Sequence, residues 1–221
     1  MRILLTVFGA VIGLGGAFAQ TPFYWALANN DVVEVWNLTN VPVTPEVLDE
    51  NGLTPAAWAA SRGNAEAIWA LHWRGEGLDE VDDQGRNLLF TAAALGRLDL
   101  FDLILAGGAK ADQVDDNGQT PVHMAALSPH PEMLTYLLAR GLDARQRSIS
   151  GVTPLMLACQ AGRADQAAEL LNWGAVAEDE DYLGRSVRDY AVVGGDEKTL
   201  ALIDEALIPW TIEPDGEAPL P

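Results

Sequence analysis

Three histidines, one cysteine and 32 acidic residues are the side chains of this 221-residue sequence best suited to acid–base, nucleophilic or metal chemistry. Catalysis would need several of them to converge on one place. His72, His123 and His130 fall at three different phases of the chain's periodicity, so structural roles are expected for all three, with the rings satisfying nearby backbone groups. Cys159 stands where positions 60, 93 and 126 hold alanine, which points to a buried inert thiol rather than a nucleophile. As the single cysteine it excludes an intramolecular disulfide. The acidic run Gln113-Val114-Asp115-Asp116-Asn117-Gly118 has the look of a calcium loop. It fails at the first ligand position, held by Gln113, and at the last, held by Met124. No glycine-rich phosphate loop or metal-ligand cluster occurs in the chain. These residues point to no enzyme, no cofactor and no metal.

The elements that carry these residues are set by a period of 33. Gly52, Gly85, Gly118, Gly151 and Gly184 stand 33 residues apart, and seven residues after each comes Ala59, Ala92, Ala125, Ala158 or Ala191. Gly63, Gly96, Gly162 and Gly195 hold a third register, with Pro129 in the missing place, and Gly75, Gly108, Gly141 and Gly174 hold a fourth. The first glycine suits a tight turn. Thr54-Pro55, Thr120-Pro121 and Thr153-Pro154 follow it, with Thr able to cap a helix and Pro fitted to its first position. The alanine marks a helix face pressed so closely on its neighbours that only a methyl fits. A second helix follows with apolar residues at helical spacing, such as Leu98, Phe101, Ile104 and Leu105, or Met133, Leu134, Leu137 and Leu138. The fourth glycine ends that helix in a left-handed cap. The repeating unit is turn, helix, turn, helix, loop.

This layout resembles the ankyrin repeat, whose pattern Gly-x-Thr-Pro-Leu-His-x-Ala returns every 33 residues. Gly118-Gln119-Thr120-Pro121-Val122-His123-Met124-Ala125 is the fullest match, and Gly151-Val152-Thr153-Pro154-Leu155-Met156-Leu157-Ala158 is close to it. Ala57 replaces the preferred His in the unit of Gly52, while Asn87-Leu88 and Ser186-Val187 depart further. The resemblance covers residues 21–207. It implies an all-α solenoid of about six helix-turn-helix units with loop fingers, at about 21–48, 49–81, 82–114, 115–147, 148–180 and 181–207. The end units are the more polar, as shielding a stacked core requires, and residues 208–221 read as a flexible, acidic, Pro-rich tail. The resemblance also implies that His123 hydrogen-bonds around its turn. It implies further that Asp49, Asp82, Asp115 and Asp181, three residues before the turn glycines, serve local hydrogen bonds rather than ligands.

Members of this family grip proteins with the finger loops and first helices. Carried over by register, the contact positions are Glu50, Asn51, Leu53, Ser61 and Arg62, then Asp83, Gln84, Arg86, Ala94 and Leu95. Next come Asp116, Asn117, Gln119, Leu127 and Ser128, then Ile149, Ser150, Val152, Gln160 and Ala161, and finally Tyr182, Leu183 and Arg185. The fingers are acidic at Asp79-Glu80, Asp82-Asp83, Asp115-Asp116 and Glu178-Asp179-Glu180-Asp181, and turn basic and apolar at Arg145, Arg147 and Ile149. One reading is a solvated rim that maintains solubility. The other is an apolar anchor of Ile149, Val152, Tyr182 and Leu183 inside a charged rim. Trp36, Trp69 and Trp73 lie at helix-two positions that the family keeps polar. They form either a second contact surface or a packed stripe, whereas Trp25 and Trp58 are expected in the core.

The N-terminus reads as an export signal: Met1-Arg2, an apolar stretch from Ile3 to Gly16, and the small-x-small Ala17-Phe18-Ala19 before Gln20. The stretch is shorter than the ~20 residues of a spanning helix, and no other segment suits a membrane. Residues 1–19 are therefore expected to be removed, leaving a periplasmic or secreted monomer. Cleavage removes Arg2 and no acid, taking the formal charge from −19 to −20. Such a chain is repelled by nucleic acid and by anionic lipid, and attracts a basic protein. Two functions fit: an adaptor or scaffold for a protein partner, or an inhibitor or immunity protein that neutralises a basic toxin or enzyme. N-terminal sequencing of the exported protein should begin at Gln20, and recovery of Met1 would contradict the signal reading.

Overall fold

The computed structural model describes residues 55–73, 78, 79, 81, 82 and 84–208. The signal segment, the first unit at 21–48, the tail beyond 208, Trp36 and Asp83 lie outside the described residues, as does the side chain of Trp58. Ten helices run through the described chain. They are α1 (Pro55–Ser61), α2 (Ala65–Trp73), α3 (Leu88–Leu95), α4 (Leu98–Ala106), α5 (Pro121–Leu127), α6 (Pro131–Ala139), α7 (Pro154–Gln160), α8 (Ala164–Asn172), α9 (Val187–Gly194) and α10 (Glu197–Ala206). First helices begin at 55, 88, 121, 154 and 187, so the sequence period is the structural period.

The chain divides into two compact units, residues 1–113 and 114–221. In the first, α1 packs on α3 and α2 on α4. In the second, α5, α7 and α9 form one row and α6, α8 and α10 another. Each helix thus meets its own partner and the same element one unit away, which is nearest-neighbour stacking. Ala59, Ala92, Ala125, Ala158 and Ala191 are wholly buried, as are Ala60, Ala93, Ala126 and Cys159 beside them. At Gly194 even a methyl would strike the carbonyl of Cys159 on α7. Phe101, Leu134, Leu137 and Leu170 are wholly buried residues of the second helices α4, α6 and α8.

Helix ends follow local chemistry. Gly63, Gly96 and Gly162 end first helices and Gly108, Gly141 and Gly174 end second helices, all at positive φ. Each donates its N–H to the carbonyl three residues back, while the next residue donates to the carbonyl five residues back. Gly174 bonds the Leu171 carbonyl at 3.0 Å and Ala175 that of Leu170 at 2.9 Å. Where Thr-Pro is missing, other residues cap. Asn87 accepts the Leu89 N–H at 3.1 Å and also donates to the Lys110 carbonyl at 3.0 Å. Ser186 accepts from the Asp189 N–H while Asp189 accepts the Ser186 N–H at 2.8 Å, a reciprocal cap. Thr153 caps Met156 as expected, whereas the Thr120 hydroxyl meets the His123 ring instead.

Turn glycines do a second job. Gly118 and Gly151 sit at φ 71° and 81°. A Cβ on Gly118 would lie 2.9 Å from the Ile149 nitrogen, and one on Gly151 2.8 Å from the Tyr182 nitrogen. Gly184, at φ 75°, has nothing within 4 Å. Gly184→Ala should therefore cost the left-handed backbone penalty alone, about 1–2 kcal/mol. Gly151→Ala should cost clearly more, and equal losses in urea unfolding would contradict a contact between adjacent turns.

Candidate protein-binding surface

The fingers are four turns of one design. In each, the residue three before the glycine accepts the glycine N–H on its carbonyl, and its own N–H bonds the carbonyl one residue past the glycine. Asp82, Asp115 and Asp181 add a carboxylate oxygen that accepts two backbone N–H groups across the turn, all at 2.8–2.9 Å. Ser148 does half of this work, accepting the Val152 N–H at 3.0 Å. The turns are thereby fixed before anything docks on them.

Turns 117–119, 149–151 and 182–184 are also tied in series. The Ile149 N–H donates to the Asn117 carbonyl at 2.8 Å, and the Tyr182 N–H to the Ser150 carbonyl at 3.0 Å. Arg147 reaches from one turn to the next, donating to the Gly151 carbonyl at 3.2 Å and the Glu180 carbonyl at 2.7 Å, and pairing with Asp179. Arg147 is therefore a strut between turns. Arg145 remains an exposed cation of this finger.

The second oxygens of Asp82 and Asp181 are held by Arg86 and Arg185, four residues on. Asp181, buried, also accepts the Tyr190 hydroxyl at 2.9 Å. Burial pushes its carboxyl up, but the Arg185 backbone and guanidinium, the Tyr190 hydroxyl and the Leu183 N–H outweigh it. The group sits well below the ordinary range. Asp82 is likewise lowered: burial raises it, and its bonds from Arg86 and Gln84 overcome that.

The carried-over contact residues separate into two groups. Ile149, Tyr182 and Leu183 are exposed by 70%, 69% and 78%. Asp116, Leu95 and Arg185 are exposed too, while Arg86, Gln119 and Leu127 are half-buried. Val152 is buried, with its N–H bonded by Ser148 and its carbonyl by the His123 ring of the preceding unit; it belongs to the core and forms no part of an apolar anchor. Ser128 is buried as well, its carbonyl accepting from Gln166. Val193, at the same phase as Leu127 and Gln160, is strongly exposed and was missed, although the register alone marks it. Trp69 and Trp73 on α2 are exposed, and Trp69 meets His72 edge-on at 6.2 Å.

The histidines and the cysteine are engaged or apart. Nδ1 of His123 accepts the Thr120 N–H at 3.1 Å, which leaves the proton on Nε2 to donate to the Val152 carbonyl at 3.3 Å. Burial lowers its pKa to about 4, against smaller opposing contributions from Val152 and Asp115. Burial pushes the Cys159 thiol up to about 12, so no thiolate forms near neutrality. Backbone-satisfying roles for the other two rings are not seen. His130 is exposed at the start of α6 without a side-chain cap bond, and Nδ1 of His72 is buried without a partner among the described residues. Among those residues no group of three His, Cys, Asp or Glu could hold a metal, and no helix is long and apolar enough to cross a membrane.

The family model for ankyrin repeats, in three copies, matches residues 23–115 and again residues 89–181. This chain belongs to the ankyrin-repeat family. No curated protein matches it. Ankyrin repeats generally mediate protein–protein interaction and are typically not catalytic. In this ankyrin-repeat protein the finger chemistry is spent on turn geometry, leaving apolar tips and free carboxylates outward.

The His123 ring gives a pH test. Its folded pKa, about 4, lies below the ordinary 6.5, so its contribution is full above 6.5 and is lost as pH falls toward 4. Urea midpoints should drop between pH 6.5 and 5 in the native chain. His123→Gln should lower the midpoint but flatten that slope; an unchanged slope would contradict a neutral buried ring.

Proposed function

We propose that this chain is an exported adaptor that holds a protein partner on its finger tips, with Ile149, Tyr182 and Leu183 as the apolar anchor. The observation that carries this reading is three large apolar side chains standing in water on two successive turns. Isolated exposed apolar residues are ordinary, but clustered ones on a preordered backbone mark docking sites. Such tips bind with little ordering cost, because their turns are fixed in the free protein. Asp116, Glu178 and Glu180 are exposed carboxylates on the same turns and the approach to them. Arg147 and Arg185 are engaged by Asp179 and Asp181, so the finger surface, Arg145 apart, is acidic in effect. The partner is therefore basic at its contact face, and salt should weaken the complex. The periplasm or the exterior is the proposed compartment, on the strength of the N-terminal segment.

The same spent arginines favour a second reading, in which the partner is a basic enzyme or toxin and binding silences it. The two separate on one assay: the captured protein keeps its activity with an adaptor and loses it with an inhibitor.

Tyr182→Ala with Leu183→Ala should weaken capture of the partner from exported fractions about 30-fold or more, equivalent to roughly 2 kcal/mol for an interfacial hot spot. The melting temperature should stay within about 1 °C, since both side chains are outside the core. Undiminished capture by the double variant would overturn the assignment of the anchor.

A further inference from the structure

The three turns 117–119, 149–151 and 182–184 form a ladder with an open last rung. On each inner rung the following turn brings the same two groups. The Ile149 N–H donates to the Asn117 carbonyl while its side chain lies over Gly118, where a Cβ would stand 3.2 Å from the Ile149 Cγ1. The Tyr182 N–H donates to the Ser150 carbonyl while its ring lies over Gly151, where a Cβ would stand 2.7 Å from the Tyr182 Cδ1. The equivalent groups on the last rung are the Leu183 carbonyl and Gly184. Among the described residues no N–H donates to that carbonyl, and a Cβ on Gly184 would meet nothing within 4 Å. Leu183 and Gly184 are both exposed. An unpaired edge carbonyl beside an open seat is what a backbone-adding partner uses, with main-chain bonds for affinity and the seat for specificity.

The charge of the occupant follows from the brace between rungs. Arg147 reaches forward from its own turn to pair with Asp179 and to donate to the Glu180 carbonyl. One period on, the same register holds Glu180, an exposed carboxylate. A segment that continues the ladder therefore meets an acid where the segment of Tyr182 meets an arginine, and a basic one is favoured there. We propose, on the reading that the fingers bind a protein, that Leu183 and Gly184 are the seat for a basic, apolar-tipped turn of that partner. The turn donates one backbone N–H to the Leu183 carbonyl and lays one large apolar side chain over Gly184. The partner thus brings backbone to the last rung as well as a surface for the tips of Ile149, Tyr182 and Leu183. The chain itself contains one turn of this chemistry, residues 145–151, in which Arg145 and Arg147 precede Ile149.

The probe is a synthetic peptide of residues 145–153, titrated into the full chain and followed by the amide resonances of Tyr182, Leu183 and Gly184. It should shift these amides with a Kd on the order of 1 mM, and the same peptide carrying Ile149→Asp should bind at least tenfold more weakly. A methyl at Gly184 meets nothing in the free chain, yet it would stand in the path of a docking N–H. On the first rung a Cβ at Gly118 would lie 2.9 Å from the Ile149 nitrogen. Gly184→Ala and Gly184→Asn should therefore each weaken the peptide at least tenfold. Asn accepts a left-handed backbone more readily than Ala, so recovery of binding in Gly184→Asn would trace the loss to strain and overturn the seat. An unmoved Gly184 amide at millimolar peptide would overturn it as well, whether the seat takes nothing or is filled by the chain beyond residue 208. Shifts at Gly184 that grow with protein concentration alone would overturn it in favour of a second copy. Capture of a partner by Tyr182 and Leu183 is read separately, so the tips can hold a protein with the seat empty, and the two assignments fail on different results.

Discussion

The structure depends on a restriction in size: at the register alanine of every described first helix, and at the residue after it in all but α9, where Val192 is exposed, no side chain much larger than a methyl fits. Ala59, Ala92, Ala125, Ala158 and Ala191 have no exposed surface, and their neighbours Ala60, Ala93, Ala126 and Cys159 have none either. Small residues let helices approach closely enough for their dispersion contacts to be complete. The spacing of first helices in turn fixes the spacing of the turns that precede them. Only at that spacing can the Ile149 N–H reach the Asn117 carbonyl and the Tyr182 N–H reach that of Ser150. The glycines at 118 and 151 are then required twice, for positive φ and for the closeness of the next backbone. A rule about methyl groups in the core thus ends as a rule about the placement of side chains in water.

Polar groups are divided between the inside and outside of each finger. Asp82, Asp115, Ser148 and Asp181 satisfy turn N–H groups that water would otherwise have to serve. Arg86, Arg147 and Arg185 are consumed by carboxylates or carbonyls close by. His123 is neutral because its ring must accept from Thr120 while donating to Val152. A chain with this many carboxylates could have gathered some of them into a reactive cluster; here many instead hold loops in shape. What remains outward is a few apolar tips and unpaired acids, a surface suited to recognition.

Much of this was legible in the sequence because the repeat is enforced by sterics at each unit. The glycine, alanine and cap-glycine registers locate every described helix, and Asp82, Asp115 and Asp181 serve the turn hydrogen bonds that their register implies, while Asp49 lies outside the described residues. Tertiary detail within a register was not legible. Val152 and Ile149 are both β-branched finger residues, yet the first is buried, its carbonyl held by the His123 ring of the preceding unit, and the second stands outside. The engagement of Arg147 is invisible in the sequence because its acceptors, the Glu180 carbonyl and Asp179, lie about one period away. Asn87 and Ser186 looked like weakened motifs, but any short polar side chain can cap. Val193 was overlooked by attention to the turn, although the phase of Leu127 and Gln160 points to it.

The central claim is that the exposed tips are held rigidly by the stack beneath them, and amide hydrogen exchange resolved by residue tests it most directly. The Ile149 and Tyr182 amides should be protected at least a hundredfold over an unstructured chain, despite side chains standing in solvent, because both donate to the neighbouring turn. The Leu183 amide should be slowed less, since its bond stays within its own turn. Exchange of Ile149 and Tyr182 at the unstructured rate would contradict the account, for the fingers would then be independent loops rather than one ordered surface.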